Sequence, residues 1–173
     1  WKEDLLSGIF DFEVAQKTME ALAIVHNKSA NSPEAAAAFA NQDIFYQLRI
    51  SPYFEFLAGK HPEYKAEIEA MIPKIRDDRR VIVHSDYSPK NILVNADRSI
   101  CILDYEIAHY GNPAFDVAFF TNHIVLKSAH MRQYSAAILN MLTCMTDAYF
   151  GMIDFTDAKE LEAECIPLLG ILM

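Results

Sequence analysis

The sequence predicts an α+β fold in which helices surround one short β-hairpin. Apolar residues recur at helical spacing through most of the chain, and capping residues punctuate those stretches. Only between Val81 and Leu103 does the pattern shift to short β-branched runs. The 173 residues suit one domain, or one lobe of a larger one, with enough chain for a buried core.

Taken in order, Val14, Ala21, Leu22 and Val25 mark a helix from Asp11 to about Asn27, with Asp11 placed to cap it. Ser32-Pro33-Glu34 starts a second helix, with Ser32 as N-cap, Pro33 at the first position and Ala35–Ala38 as filler. A third stretch runs from about Asp43 to Leu57, where Pro52 is a candidate interruption; its aromatic residues suit core packing. His61-Pro62-Glu63 opens a fourth, which Pro73 is expected to end or kink before Arg76. Val81–Val83, Ile92–Val94 and Ile100–Leu103 then read as strands, the last two joined by the turn Asn95-Ala96-Asp97-Arg98. Helix returns over Ala114–Ser128, over Met131–Phe150, and from Thr156 onward with Thr156 or Asp157 as cap.

Composition excludes several classes. The formal net charge of -9 and the lack of an uninterrupted basic run argue against nucleic-acid or anionic-membrane binding; Lys74, Arg76, Arg79 and Arg80 read as a solvated helix end. Cys101, Cys144 and Cys165 form no C-x-x-C pair, so neither a disulfide framework nor a zinc site is expected, and a cytoplasmic, reducing setting is. Apolar runs stop short of bilayer-spanning length, and no signal peptide opens the chain. Trp1 at the start and the apolar run to Met173 lead us to expect a piece of a longer protein.

Chemistry concentrates around the hairpin. His84-Ser85-Asp86-Tyr87-Ser88-Pro89-Lys90-Asn91 leads into it, and Leu103-Asp104-Tyr105-Glu106 leads out. A hairpin brings its ends together, so Asn91 and Asp104 are expected to meet with Asp86 nearby, giving hard oxygen ligands suited to Mg²⁺. Phosphoryl transfer is the matching chemistry, because its catalysis is mostly positioning and neutralisation of phosphate charge. A His84/Ser85/Asp86 hydrolase triad is excluded, since neighbours in one loop cannot converge as a relay does. His26, His109, His123 and His130 lack metal-ligand pairing and read as packing or surface residues.

His84-x-Asp86-x4-Asn91 followed by Asp104 has the spacing of the protein-kinase catalytic loop. With Asn91-Ile92-Leu93, Leu103-Asp104-Tyr105-Glu106 and Gly111-Asn112-Pro113-Ala114-Phe115-Asp116-Val117-Ala118, the chain resembles the aminoglycoside phosphotransferase/choline kinase-like superfamily. Leu22-Ala23-Ile24-Val25-His26 is similar to that family's helix end, and the resemblance is sharpest from Val81 to Lys127. It implies a protein-kinase-like C-terminal lobe over residues 1–173, with Asp86 as catalytic base or hydroxyl-orienting group. It further implies Asn91 and Asp104 as Mg²⁺ and ATP-phosphate ligands, Glu106 as an added metal contact, and Lys90 steadying the transferred phosphate. Asp116 would brace the catalytic loop through backbone N–H groups, and His84 reads as a packed histidine supporting that loop.

The implied function is ATP- and Mg²⁺-dependent phosphorylation of a small-molecule hydroxyl, with aminoglycosides, choline or ethanolamine, sugars and amino alcohols all open as acceptors. The acidic balance suits a cationic one. A noncatalytic pseudokinase-like module is the rival, and no feature specifies an oligomeric state. Two departures stand out. Ser85 replaces the usual Gly, and no glycine-rich phosphate loop or strand lysine occurs among these residues. The nucleotide-clamping N-terminal lobe is therefore expected to be absent and the chain alone inactive.

Overall fold

The computed structural model describes residues 1–173. A short helix α1 (Lys2–Leu6) precedes α2 (Phe12–Ser29), whose start is set by Asp11 accepting from the N–H groups of Glu13 and Val14. In α3 (Pro33–Ala38) the Ser32 hydroxyl accepts from Ala35. These caps are the ones the sequence specified, because a short oxygen-bearing side chain satisfies otherwise unpaired N–H groups.

The third helical stretch is not broken at Pro52. It runs through α4 (Asp43–Phe45), a π-helical segment (Tyr46–Glu55) and α5 (Phe56–Lys60) without a turn. The wider π turn relieves the clash that proline makes with the carbonyl four residues back. After a 3₁₀ turn at Pro62–Tyr64, α6 (Lys65–Arg76) likewise contains Pro73 rather than ending there.

Two small antiparallel ribbons follow. β1 (Val81–Val83) pairs with β4 (His109–Gly111), and β2 (Ile92–Val94) pairs with β3 (Ile100–Ile102). The second is the predicted hairpin. Of the first, β1 is legible as a strand and β4 is not, since three residues ending in glycine carry no strand pattern. Arg98 at the hairpin tip (β2–β3 turn) bridges to Asp11 and Glu13, tying the turn to the start of α2.

The remaining helices are α7 (Ala114–His130), α8 (Ser135–Met152, after a 3₁₀ turn at Arg132–Tyr134) and α9 (Ala158–Leu172, capped by Asp157). α2 packs along α8, and α7 lies against both α8 and α9. The start of α7 is buried on all sides: Ala114 to Phe120 are solvent-free. Mean burial that complete places α7 as the axis of the core, with Phe45, Phe54, Tyr87 and Tyr149 packed around it. No helix is long and apolar enough to cross a membrane.

The turn into α7 is held by Asn112. Its Oδ1 accepts from Ala114 N–H and from Arg80, while its Nδ2 donates to Lys74 O, Asp78 and Glu164. Arg80 is thus not a solvated helix end; it joins Asp78 and Glu164 at 3.1 and 2.5 Å. Gly111 beside it is required by close approach: a Cβ there would lie 2.4 Å from His109 Nε2. The ring cannot yield, because it sits 4.1 Å from Phe45, centroid to centroid. Gly111→Ala is therefore expected to lower stability by about 1–3 kcal/mol, the cost of overpacking, read as a lower urea midpoint at unchanged m-value.

Candidate active site

The loop between β1 and β2 is buried and shaped from α7. Asp116, fully buried in the first turn of α7, accepts the His84 N–H at Oδ2 and the Ser85 N–H at Oδ1, both at 2.7 Å. Burial pushes its carboxyl upward, but the hydrogen bond and charge of His26, the charge of His84 and the His84 N–H outweigh it. The net position is below the ordinary carboxylate value. His26 Nε2 lies 3.4 Å from the same Oδ2, and its Nδ1 lies 2.6 Å from the Tyr149 hydroxyl. With the ring proton on Nε2 facing the carboxylate, Nδ1 accepts the Tyr149 O–H.

His84 joins the loop to the hairpin exit. The Asp86 N–H donates to His84 Nδ1 at 3.2 Å, which leaves Nε2 as the protonated nitrogen donating to Leu103 O at 2.9 Å. Leu103 is the residue before Asp104. Ser85, at the position where the resembled pattern has glycine, has φ +66° and costs about 1 kcal/mol relative to glycine. Three contacts hold it there: Asp116 on its N–H, Arg49 Nε on its carbonyl at 2.7 Å, and its hydroxyl 3.0 Å from His109 Nδ1. The next residue but one, Tyr87, is fully buried and donates to Thr18 O, fixing the loop to α2.

Asp86 sits at the mouth of this loop, with 6% of its surface exposed. Its Oδ1 meets Arg49 at 2.9 Å; its Oδ2 meets Lys90 Nζ at 2.8 Å and Asn91 Nδ2 at 2.9 Å. Asn91 Nδ2 also donates to the Asp86 carbonyl. Asn91 therefore directs its amide nitrogen to Asp86 and leaves Oδ1 without a protein donor. Its carbonyl accepts from Leu103 N–H at 2.9 Å, which brings it beside the segment carrying Asp104. Asp104 has φ +68°, is exposed and forms no ion pair; Glu106 is likewise exposed and unpaired. No group of three or more His, Cys, Asp or Glu side chains converges to hold a metal. The structure thus joins Asp86, Lys90 and Asn91 directly, links Asn91 by backbone to Leu103 beside Asp104, and gives the Glu106 side chain no hydrogen bond or ion pair.

Arg49 was not legible as a site residue. It stands in the π-helical segment, is buried, lies 5.1 Å from the Phe119 ring centroid, and reaches Ser85 and Asp86 together. The one available signal was an arginine inside the otherwise largely apolar run Ile44–Ile50. His26, expected as a packing or surface residue, is fully buried and is also the polar partner of Asp116. The largest cavity, about 660 Å³, lies between α5, α6 and α9 and contains none of these residues.

Such a loop, an Asp–Asn pair beside a hairpin and braced by a buried Asp at a helix start, is the arrangement that the sequence resemblance implied. Residues 7–140, well over half of the chain, match the Phosphotransferase enzyme family, and the chain belongs to that family. No individual curated protein matches it.

Burial lowers the His109 imidazole to about 4 from an ordinary 6.5, so it is neutral in the folded state at neutral pH. A histidine whose folded value is depressed takes up protons on unfolding, so stability is intact above 6.5 and is lost as pH falls toward 4. The expected slope is about 1.4 kcal/mol per pH unit within that window. Urea titrations between about pH 7 and about pH 5 read it, and His109→Gln should remove the His109 share of the dependence.

Proposed function

We propose that this chain supplies the catalytic and acceptor-binding lobe for ATP- and Mg²⁺-dependent phosphorylation of a hydroxyl on a small molecule. The observation that carries this reading is the pairing of Asp86 with Asn91. It turns the Asn91 amide nitrogen inward and leaves its oxygen free, while the Leu103 N–H bond to the Asn91 carbonyl ties Asn91 to the segment that carries the unpaired carboxylate of Asp104. Two hard oxygens with no protein cation on them suit Mg²⁺, which binds through few protein ligands and keeps positions for water and phosphate. Such an ion would neutralise charge on the transferring phosphoryl group. The same free ligands favour an enzyme over a noncatalytic pseudokinase-like module.

In the proposed reaction the acceptor hydroxyl oxygen forms a bond to the γ-phosphorus of ATP. The bond from that phosphorus to the β-bridging oxygen breaks, and ADP leaves with the electron pair. Asp86 orients the hydroxyl and takes its proton. Lys90 occupies Asp86 Oδ2 and is half-exposed, so it can swing aside as the hydroxyl arrives. Arg49 keeps its own bond to Oδ1 and holds the carboxylate in place. The glycine-rich loop that clamps ATP phosphates does not occur among these residues, so we assign that task to a further lobe of the complete protein. Three free cysteines suit a cytoplasmic setting.

In the complete protein, Asp86→Asn keeps the shape and the Asn91 contact but cannot take a proton. Turnover is expected to fall by about 100-fold or more with little change in acceptor KM. Wild-type turnover in that variant would remove Asp86 from the chemistry.

A further inference from the structure

Next to Asp86 lies a second cavity, of about 90 Å³, lined by Lys2, Ser88, Pro89, Lys90, His123 and Lys127. It draws on three separated parts of the chain: α1, the loop carrying Asp86, and the middle and end of α7. No carboxylate lines it, in a chain whose net charge is -9. Lys2 and Lys127 have no acidic partner within salt-bridge distance, and burial together with Lys2 pushes the Lys127 ammonium below its ordinary value. Lys2 is exposed and Lys127 half-buried, its ammonium donating to the His123 carbonyl, so the two present positive charge that a ligand's negative charge can complement.

Ser88 gives an independent sign of a ligand. It is 1% exposed, and its hydroxyl has no hydrogen-bond partner in the protein. A buried hydroxyl without a partner costs roughly 1–3 kcal/mol, and here it borders the cationic cavity, where an anion's oxygens would accept its proton. His123 sits among Asp86, Lys90, Arg49 and Lys127, and burial lowers it to about 4, so at neutral pH it adds a neutral N–H rather than another charge. The cavity holds about three waters' worth of volume, room for one compact anionic group.

Its position assigns it to the acceptor. Neither Asn91 nor Asp104 nor Glu106 lines it, so it lies off the side proposed for metal and nucleotide phosphates. Lys90 belongs to both places, since it lines the cavity and bonds Asp86 Oδ2 at 2.8 Å. We infer that this cavity binds a phosphate or carboxylate group of the acceptor, so that the alcohol presented to Asp86 is itself an anion. This rests on the phosphotransferase reading above, and it departs from the cationic acceptor that overall charge suggested. An acceptor anion would draw Lys90 away from Asp86 Oδ2 and free that oxygen for the hydroxyl, coupling acceptor binding to release of the base.

The test has two arms, both on the complete protein. First, inorganic phosphate is titrated by calorimetry in the presence of Mg²⁺ and a saturating non-hydrolysable ATP analogue. Saturable binding is expected, weakened about tenfold or more in a Lys2→Gln/Lys127→Gln variant whose circular dichroism is unchanged. No saturable binding, binding indifferent to the two lysines, or binding abolished by the nucleotide overturns the inference; the last would mean that donor phosphates fill the cavity. Second, glycerol 3-phosphate, glycerate, glycerol and choline are compared as acceptors by kcat/KM. The two anions should exceed the neutral and cationic alcohols by about tenfold or more, and the double variant should erase that margin. Their ratio to each other separates phosphate from carboxylate. Transfer without preference for anions sinks the inference and leaves the phosphotransferase reading standing. Phosphate binding without transfer to any alcohol sinks the acceptor assignment together with the reading beneath it.

Discussion

The site depends on one buried carboxylate. Asp116 accepts two short, charge-assisted bonds from consecutive backbone N–H groups, and these bonds join His84 and Ser85 to the first turn of α7. Bonds of this kind contribute about 1.5–3 kcal/mol each, enough to offset the left-handed backbone at Ser85. The carboxylate is itself held by His26 and, through it, Tyr149, so α2, α7 and α8 meet at one polar chain inside an apolar core. Removing water strengthens each link in that chain.

From that anchor the rest of the geometry follows. A fixed Ser85 places its carbonyl for Arg49, and Arg49 then reaches Asp86. A fixed His84 reaches Leu103 and sets where the hairpin exit lies. Charge is arranged on two scales. The surface as a whole is acidic, whereas the ground around Asp86 is cationic, built from Arg49, Lys90, Lys127 and Lys2. A focused positive region within an acidic envelope steers anions to one place while discouraging nonspecific binding to anionic polymers.

What could be read beforehand was what is local. Asp11, Ser32 and Asp157 cap helices through neighbouring N–H groups, so their signal lies within three residues of the helix they start. The hairpin and the His84–Asn91 loop were legible for the same reason. Arg49 and the Lys2–Lys127 cavity were not, because their partners are far along the chain and no spacing rule links them. β4 escaped because its pairing with β1 comes from tertiary placement and not from its own three residues. The prolines misled in a different way: Pro52 and Pro73 predict breaks on backbone grounds, but burial of Phe54 and Ile75 on the same helices outweighs the local preference.

Hydrogen exchange at the His84 and Ser85 amides tests the account most directly, because it reads the Asp116 anchor without reference to substrate. Both amides should exchange at rates near those of global unfolding, and Asp116→Ala should release them while core amides of α2 and α8 stay protected. Rapid exchange of the two amides in the unaltered protein, or protection that survives Asp116→Ala, would contradict it.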